Sequence, residues 1–305
     1  MRRRYALVLL YFGVALAAAW TVGELERPIW DDPAVALRIH EAVVEGTADY
    51  PHQFRPLVPF VCEAAFRAGL PLRVAYLLQR LVCWFLALLL LHQYLRAWLR
   101  EELCLAGGLF LAAMLPFSVI ATGFQPTDPL NLLLYVLAYR LLLARQDGWL
   151  LLLVAVGMFN RETIALVALL AAAVRLDEWR TPRYWALVMG LTAVAAAVYL
   201  GLHAWYGPRD SFTTLVTPRE NIPANLTRFG SLRAVVVYGV LWWLALSGLR
   251  EQPAFLRRSV ILVPVFLVVH LAVGLLGETR YFLPLAPTIL PLALRRLLGE
   301  PEVAA

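Results

Sequence analysis

Long apolar runs separated by short polar islands set the plan of this chain. Runs long enough to cross a bilayer, about 17 to 25 residues, start at Tyr5, Val74, Leu103, Pro129, Tyr184, Leu232, Ser259 and Tyr281. They predict eight crossings. Three further apolar segments (57–68, 149–159 and 163–174) are too short: a 12-residue helix extends only about 18 Å, a little over half the hydrocarbon thickness. The last two flank Asn160-Arg161-Glu162-Thr163 and predict a hairpin of broken helices over 148–176 that returns to the side it left.

The polar islands fall between these runs. The first spans 23–55 and holds Asp31, Asp32, His40, Glu41, Glu45, His52 and Arg55. Within it, 33–45 alternates apolar and charged positions as a short helix lying in a membrane interface does. Trp30-Asp31-Asp32 comes just before that helix, and two readings of the acids stand side by side. An aspartate followed by Pro33 is a good helix cap; a carboxylate pair beside a membrane is also a candidate proton acceptor. Trp30 suits an interfacial anchor or a platform for a sugar ring. The other islands are Gln125-Pro126-Thr127-Asp128-Pro129, the Asn160–Thr163 tip, and Gly277-Glu278-Thr279-Arg280-Tyr281. A second loop over 207–231 adds Arg209, Arg219, Glu220 and Arg228.

Composition agrees with the pattern. Of 305 residues, 61% are hydrophobic and 16% charged, and the mean hydropathy is +0.70, which excludes a soluble domain and predicts one all-α transmembrane domain over 1–305. All 27 basic residues are arginine. Putting the N-terminus inside collects 15 of the 27 on inner loops, including Arg2, Arg3, Arg4, Arg140, Arg175, Arg183, Arg257 and Arg295. This parity holds only if 57–68 does not cross and the hairpin turns back. It puts both termini in the cytoplasm and all four islands on the outer face, in a bacterial inner membrane. After the N-terminal arginines and first apolar run, Gly23-Glu24-Leu25-Glu26 offers no cleavage site, so an uncleaved first helix is expected. Cys62, Cys83 and Cys104 have no metal or disulfide spacing.

Irregular backbone at membrane depth is tolerated where protein or water lines it, so the Asn160–Thr163 tip implies a polar cavity. Arg161 and Glu162 need partners there, with Asp128 and Arg280 the candidates. Arginines around such a cavity suit a phosphate, and a nearby carboxylate suits a general base. That pairing fits transfer from a polyprenyl-phosphate carrier, with arginine on the departing phosphate. No nucleotide loop, zinc motif or Ser-His-Asp signature is present. No cofactor is required, and no spacing of Asp31, Asp32 and Asp128 demands a divalent ion. His40 and His52 share the first loop with the acids and are candidate substrate contacts; His92, His203 and His270 read as hydrogen-bonded packing residues. Asn225-Leu226-Thr227 matches a glycosylation sequon, a weak signal.

The order of these motifs resembles the GT-C superfamily of membrane glycosyltransferases, in particular the branch of protein O-mannosyltransferases and the lipid A aminoarabinose transferase. Trp30-Asp31-Asp32 stands where the family has its acidic pair, and Phe54-Arg55-Pro56-Leu57-Val58-Pro59 resembles its basic-Pro opening of a short helix. Asp128 falls at its later aspartate. Arg280-Tyr281-Phe282-Leu283-Pro284 resembles its Arg-Tyr-Leu-Pro run. The resemblance implies Asp31 or Asp32 as catalytic base, with Asp31 the family's position. It implies Arg55, Arg161 and Arg280 on the donor phosphate, and Trp30, His52, Asp128, Asn160, Glu162, Glu278 and Tyr281 in support. The pair here is Asp-Asp rather than Asp-Glu, and the chain resembles a short form without a soluble C-terminal domain. The expected partners are a polyprenyl-phosphate sugar, membrane lipid, a glycan, lipid or protein acceptor, and a companion protein in cell-envelope assembly, with no nucleic acid. A lipid-linked sugar flippase and a non-catalytic assembly subunit are the alternatives; the absence of an internal repeat counts against the first.

Overall fold

A computed structural model describes residues 2–117, 124–210, 218–227 and 232–298. Among these, every regular element is a helix. The first part of the chain forms α1 (Arg2–Leu25), a turn of helix α2 (Arg27–Trp30), α3 (Pro33–Val44), α4 (Leu57–Arg67), α5 (Leu72–Leu95), α6 (Glu101–Phe117) and α7 (Asp128–Leu143). The broken hairpin follows as α8 (Asp147–Gly157), a 3₁₀ turn (Glu162–Ala165) and α9 (Leu166–Val174). The remainder comprises α10 (Pro182–Tyr206), α11 (Pro218–Thr227), α12 (Leu232–Leu246), α13 (Ala254–Ser259), α14 (Leu262–Val273), a 3₁₀ segment (Thr279–Leu285) and α15 (Ala286–Leu298).

Five stretches are long and apolar enough to cross a membrane: Tyr5–Leu25, Leu72–Leu95, Pro182–Tyr206, Ala254–Val273 and Thr279–Leu298. This is consistent with an integral membrane protein. The other three runs expected to cross are helical but shorter, with 17, 16 and 15 described residues in α6, α7 and α12. At 1.5 Å per residue these described stretches extend about 22 to 26 Å, so among the described residues five stretches qualify as spans where the apolar runs predict eight. For α7 the reason is local: Pro126 and Pro129 bracket its start, and the chain spends Gln125 to Asp128 on a polar turn.

Helix α5 is the centre of the first half and packs against α1, α4, α6 and α7. Its buried stripe Trp84, Leu88, Leu91 and Leu95 recurs at helical spacing. In lipid, apolar burial gains little over contact with acyl chains, so close packing and polar ties carry more weight. Both are visible. A side chain at Gly108 of α6 would collide with the ring and hydroxyl of Tyr11 on α1, and that hydroxyl is fixed 2.8 Å from His92 Nδ1 on α5. Near the end of α1, Glu26 and Arg80 form a buried ion pair at 2.6 Å.

The hairpin is tied at its base. Arg175, after α9, lies 2.5 Å from Asp147 at the start of α8, and Arg183 reaches the same carboxylate at 3.0 Å. The segment therefore ends where it begins, as the sequence implies. The Asn225 sequon is not a free acceptor: Asn225 is buried, donates to the carbonyls of Leu271 and Gly274, and accepts from Leu276 N–H, pinning α11 to the end of α14. Parts of the 207–231 loop, Arg228 among them, lie outside the described residues.

Candidate functional site

The tip of the hairpin meets the start of α7, the 3₁₀ segment before α15 and the loop before α4. Asp128, first residue of α7, sits between two guanidinium groups. Arg161 Nη1 pairs with its Oδ1, and Arg280 Nη1 donates to Oδ2 at 3.0 Å. Arg280 also donates to Gln125 Oε1 at 3.0 Å, to Glu278 Oε2 and to the Tyr281 hydroxyl. The two guanidinium carbons lie 5.0 Å (Arg161) and 4.5 Å (Arg280) from the Tyr281 ring centre, and His270 stacks on that ring at 4.3 Å.

Glu162 turns the other way and takes a two-pronged bond from Arg55, Nε to Oε2 at 3.1 Å and Nη2 to Oε1 at 3.2 Å. The backbone follows the same path: Leu57 N–H donates to the Phe159 carbonyl at 3.1 Å, and Asn160 Nδ2 to the Thr127 carbonyl at 3.1 Å. Asn160 itself is fully buried. Three arginines (Arg55, Arg161, Arg280) thus face three acids (Asp128, Glu162, Glu278), and the pairing neutralises them. Polar capacity is left over: Asn131 Oδ1, Asn160 Oδ1, Thr163 Oγ1 and Arg280 Nε are buried with no partner among the described residues. Buried polar groups are seldom left so unless a polar guest or water serves them.

Two cavities flank the start of α4. One, of about 390 Å³, is the more polar of the two and is lined by Asp49, His52, Arg55, Gln125 and Thr127 together with Ile29, Tyr76 and Phe124. The other, of about 770 Å³, is an apolar groove between α4 and α10, walled by Pro56, Leu57, Phe60, Phe159, Leu202 and Trp205. Arg55 lines the first, and the next two residues, Pro56 and Leu57, line the second.

His52 is held as a neutral imidazole. Burial lowers its pKa first, and the charges of Arg55, Arg280 and Arg161 lower it further, to about 4. It is positioned by a short 3₁₀ turn (His52–Phe54) whose opposite face is locked into the protein. There Gln53 accepts from Ala48 N–H at 2.9 Å and Phe54 stacks on His203 at 4.0 Å.

The acidic pair lies apart from this cluster. Asp32 caps α3, its Oδ1 accepting from Ala34 N–H at 3.0 Å and Val35 N–H at 3.4 Å. Asp31 is exposed. Neither lines the polar cavity, although their neighbours Ile29 and Trp30 reach it or its wall: Trp30 packs edge-on against Phe124 at 5.3 Å and near Tyr76 at 5.8 Å. The two loop histidines also part. His40 is buried, with Nδ1 2.8 Å from the Tyr76 hydroxyl and Nε2 2.9 Å from Glu63, tying α3 to α5 and α4. Arg67 and His40 both bond Glu63, and they hold its carboxyl below the usual range, His40 first. No group of metal-ligating side chains is present among the described residues.

The cavity contains one acid that motif reading passes over, Asp49. It has no neighbouring acid and no proline signature, so spacing gives it no emphasis. The only pointer is its position three residues before His52 and six before Arg55. Comparison of the chain with protein-family models, with curated proteins and with solved structures gives no match.

Proposed function

We propose that the protein transfers a sugar from a polyprenyl-phosphate donor to a hydroxyl acceptor at the outer face of a membrane. The observation that carries this reading is that Arg55 lines the cavity of about 390 Å³ while the next two residues, Pro56 and Leu57, wall an apolar groove of about 770 Å³. A donor of this kind has the matching sequence of parts: an isoprenoid chain for the groove, a phosphate for the guanidinium, and a sugar for the polar side.

Arg55 gives Nε and Nη2 to Glu162, which fixes the plane of the guanidinium and leaves Nη1 for a phosphate oxygen. A planar, permanently charged donor held in advance stabilises charge as it develops on the departing phosphate. Arg161 and Arg280 act from behind, through the Asp128 they share. An acid of the first outer loop accepts the acceptor proton, and in-line displacement inverts the anomeric centre. In this reading α6, α7 and α12 complete the crossings to make eight, both termini lie inside, and the chain resides in a bacterial inner membrane.

The neutral balance of three arginines against three acids also suits a non-catalytic subunit, because it holds no surplus positive charge for a phosphate. One assay separates the two. Purified protein in detergent is given polyprenyl phosphate carrying radiolabelled mannose, glucose or galactose, and sugar release and transfer are followed. Consumption of a donor that falls at least a hundredfold in Arg55→Ala supports the transferase. Binding of polyprenyl phosphate without any turnover supports the subunit.

A further inference from the structure

The chain on the Arg55 side of the polar cavity carries three functional side chains at intervals of three: Asp49, His52 and Arg55. All three line the cavity. The turn between them has 3₁₀ bonds, Phe54 N–H to the Pro51 carbonyl at 3.2 Å and Arg55 N–H to the His52 carbonyl at 3.1 Å. The 3₁₀ turn itself covers His52–Phe54, with Asp49 before it and Arg55 at its end, so what the three side chains share is the cavity they line, while Gln53 and Phe54 fill the protein behind it.

Asp49 is anchored more firmly than an exposed loop residue needs to be. Thr47 and Ala48 N–H both bond the Ala42 carbonyl at 2.8 Å, and Ala48 N–H also bonds Gln53 Oε1 at 2.9 Å. Gly46, at φ 79°, turns the chain out of α3, and Arg209 Nη2 grips its carbonyl at 2.7 Å. Tyr50 N–H bonds the Asp210 carbonyl at 2.8 Å, and Gln53 N–H the Asp49 carbonyl at 3.3 Å. The backbone on both sides of Asp49 is held while its side chain stays exposed at the cavity. An exposed acid on a fixed backbone is placed for work on something that enters.

We propose that Asp49 is the general base of the transfer, with His52 and Arg55 on the sugar and the phosphate. This rests on the transferase reading above and names the acid which that reading leaves open. Asp32 is occupied in capping α3, and neither Asp31 nor Asp32 lines the cavity. In the step, the Asp49 carboxylate takes the proton of the acceptor hydroxyl as its oxygen bonds to the anomeric carbon. The bond from that carbon to the lipid phosphate breaks, and its electron pair leaves on the phosphate oxygen beside Arg55. Asp49 then passes the proton to water. His52, being neutral, offers one donor and one acceptor to sugar hydroxyls between the two ends.

The test uses the full chain in detergent with the labelled polyprenyl-phosphate hexoses, and measures polyprenyl-phosphate binding separately from transfer. A base is worth about 10²- to 10⁴-fold, so Asp49→Asn lowers transfer at least a hundredfold while the Kd for polyprenyl phosphate stays within threefold. Asp49→Glu recovers part of the rate. Azide, an acceptor with no proton to lose, is glycosylated by Asp49→Asn at close to the wild-type rate, which a merely structural role would not permit. Asp31→Asn is run alongside, and its loss is at least tenfold smaller. Transfer by Asp49→Asn within threefold of wild type overturns the assignment, as does joint loss of binding and azide transfer, or a larger loss in Asp31→Asn. A wild-type protein that neither binds polyprenyl phosphate nor consumes any of the donors overturns the transferase reading itself, and the base with it.

Discussion

At the scale of single residues, Asp128 is the position on which the polar cluster depends. It is buried between Arg161 and Arg280, so removing its charge leaves two guanidinium groups facing each other without compensation. Breaking a buried pair from one side costs about 3 to 5 kcal/mol. Asp128→Asn is expected to lower the unfolding temperature in detergent sharply, whereas Arg55→Ala, which unpairs only the part-exposed Glu162, lowers it less and shows also in donor use. Equal thermal shifts in the two variants would contradict that division. His52 gives a second residue-scale outcome. Its pKa falls from 6.5 to about 4 in the folded protein, so the unfolded chain binds a proton there first as pH falls. Stability drops between about pH 6.5 and pH 4 and levels off below; the ceiling is about 3 kcal/mol. Thermal unfolding at pH 7 and pH 4.5 checks this, with the acid loss smaller in His52→Gln than in the wild type.

Residue types made part of this legible from sequence. Arg161 and Arg280 announce a need for partners at membrane depth, and Asp128 is the acid between proline brackets that meets it. The pairing of Glu162 with Arg55 is not readable, because 107 residues separate them and Arg280 could equally have served. Asp31 and Asp32 drew attention because they are adjacent, and adjacency says nothing of which way a side chain faces. Asp49 carries no such mark: its place is the cavity wall it shares with His52 and Arg55, which hydropathy does not reveal.

Between elements, fit matters more than apolarity. The helices α1 and α6 approach at Gly108, where Tyr11 leaves no space for a methyl group and cannot swing aside without giving up His92. Alanine is the better helix former by about 1 kcal/mol, yet overpacking costs about 1 to 3 kcal/mol. Gly108→Ala is therefore expected to lower the melting temperature; a rise would show that the close approach carries no strain. The broken hairpin was readable from its short apolar runs around Asn160. The shortness of α7 was not, since an apolar run can continue past the last helical residue.

At the scale of the whole molecule, Arg55, Asp128, Arg161, Glu162 and Arg280 draw the polar islands together, and the ion pairs of Asp147, Asp177 and Glu178 with arginines form separate ties. The three native cysteines are buried, so single added cysteines report sidedness cleanly. Glu41→Cys on α3 is expected to react with a membrane-impermeant thiol reagent from outside intact cells. Arg180→Cys is expected to react only after the membrane is opened. Labelling of both from the same side would reject the parity of the apolar runs.

The Asp128 cluster also has a history written into the order of synthesis. Its acid emerges 33 residues before Arg161 and 152 before Arg280. A nascent chain must therefore hold a carboxylate at the membrane edge until the hairpin arrives, and it gains its second counter-ion only when the last helix is in place. Until then the short α8 and α9 have no reason to stay at depth on their own. The hairpin and α7 enter as a neutral unit, and α15 seals it. Chains cut before Arg161 are expected to be cleared by membrane proteases faster than chains cut after Tyr206, a difference that pulse-chase labelling would register.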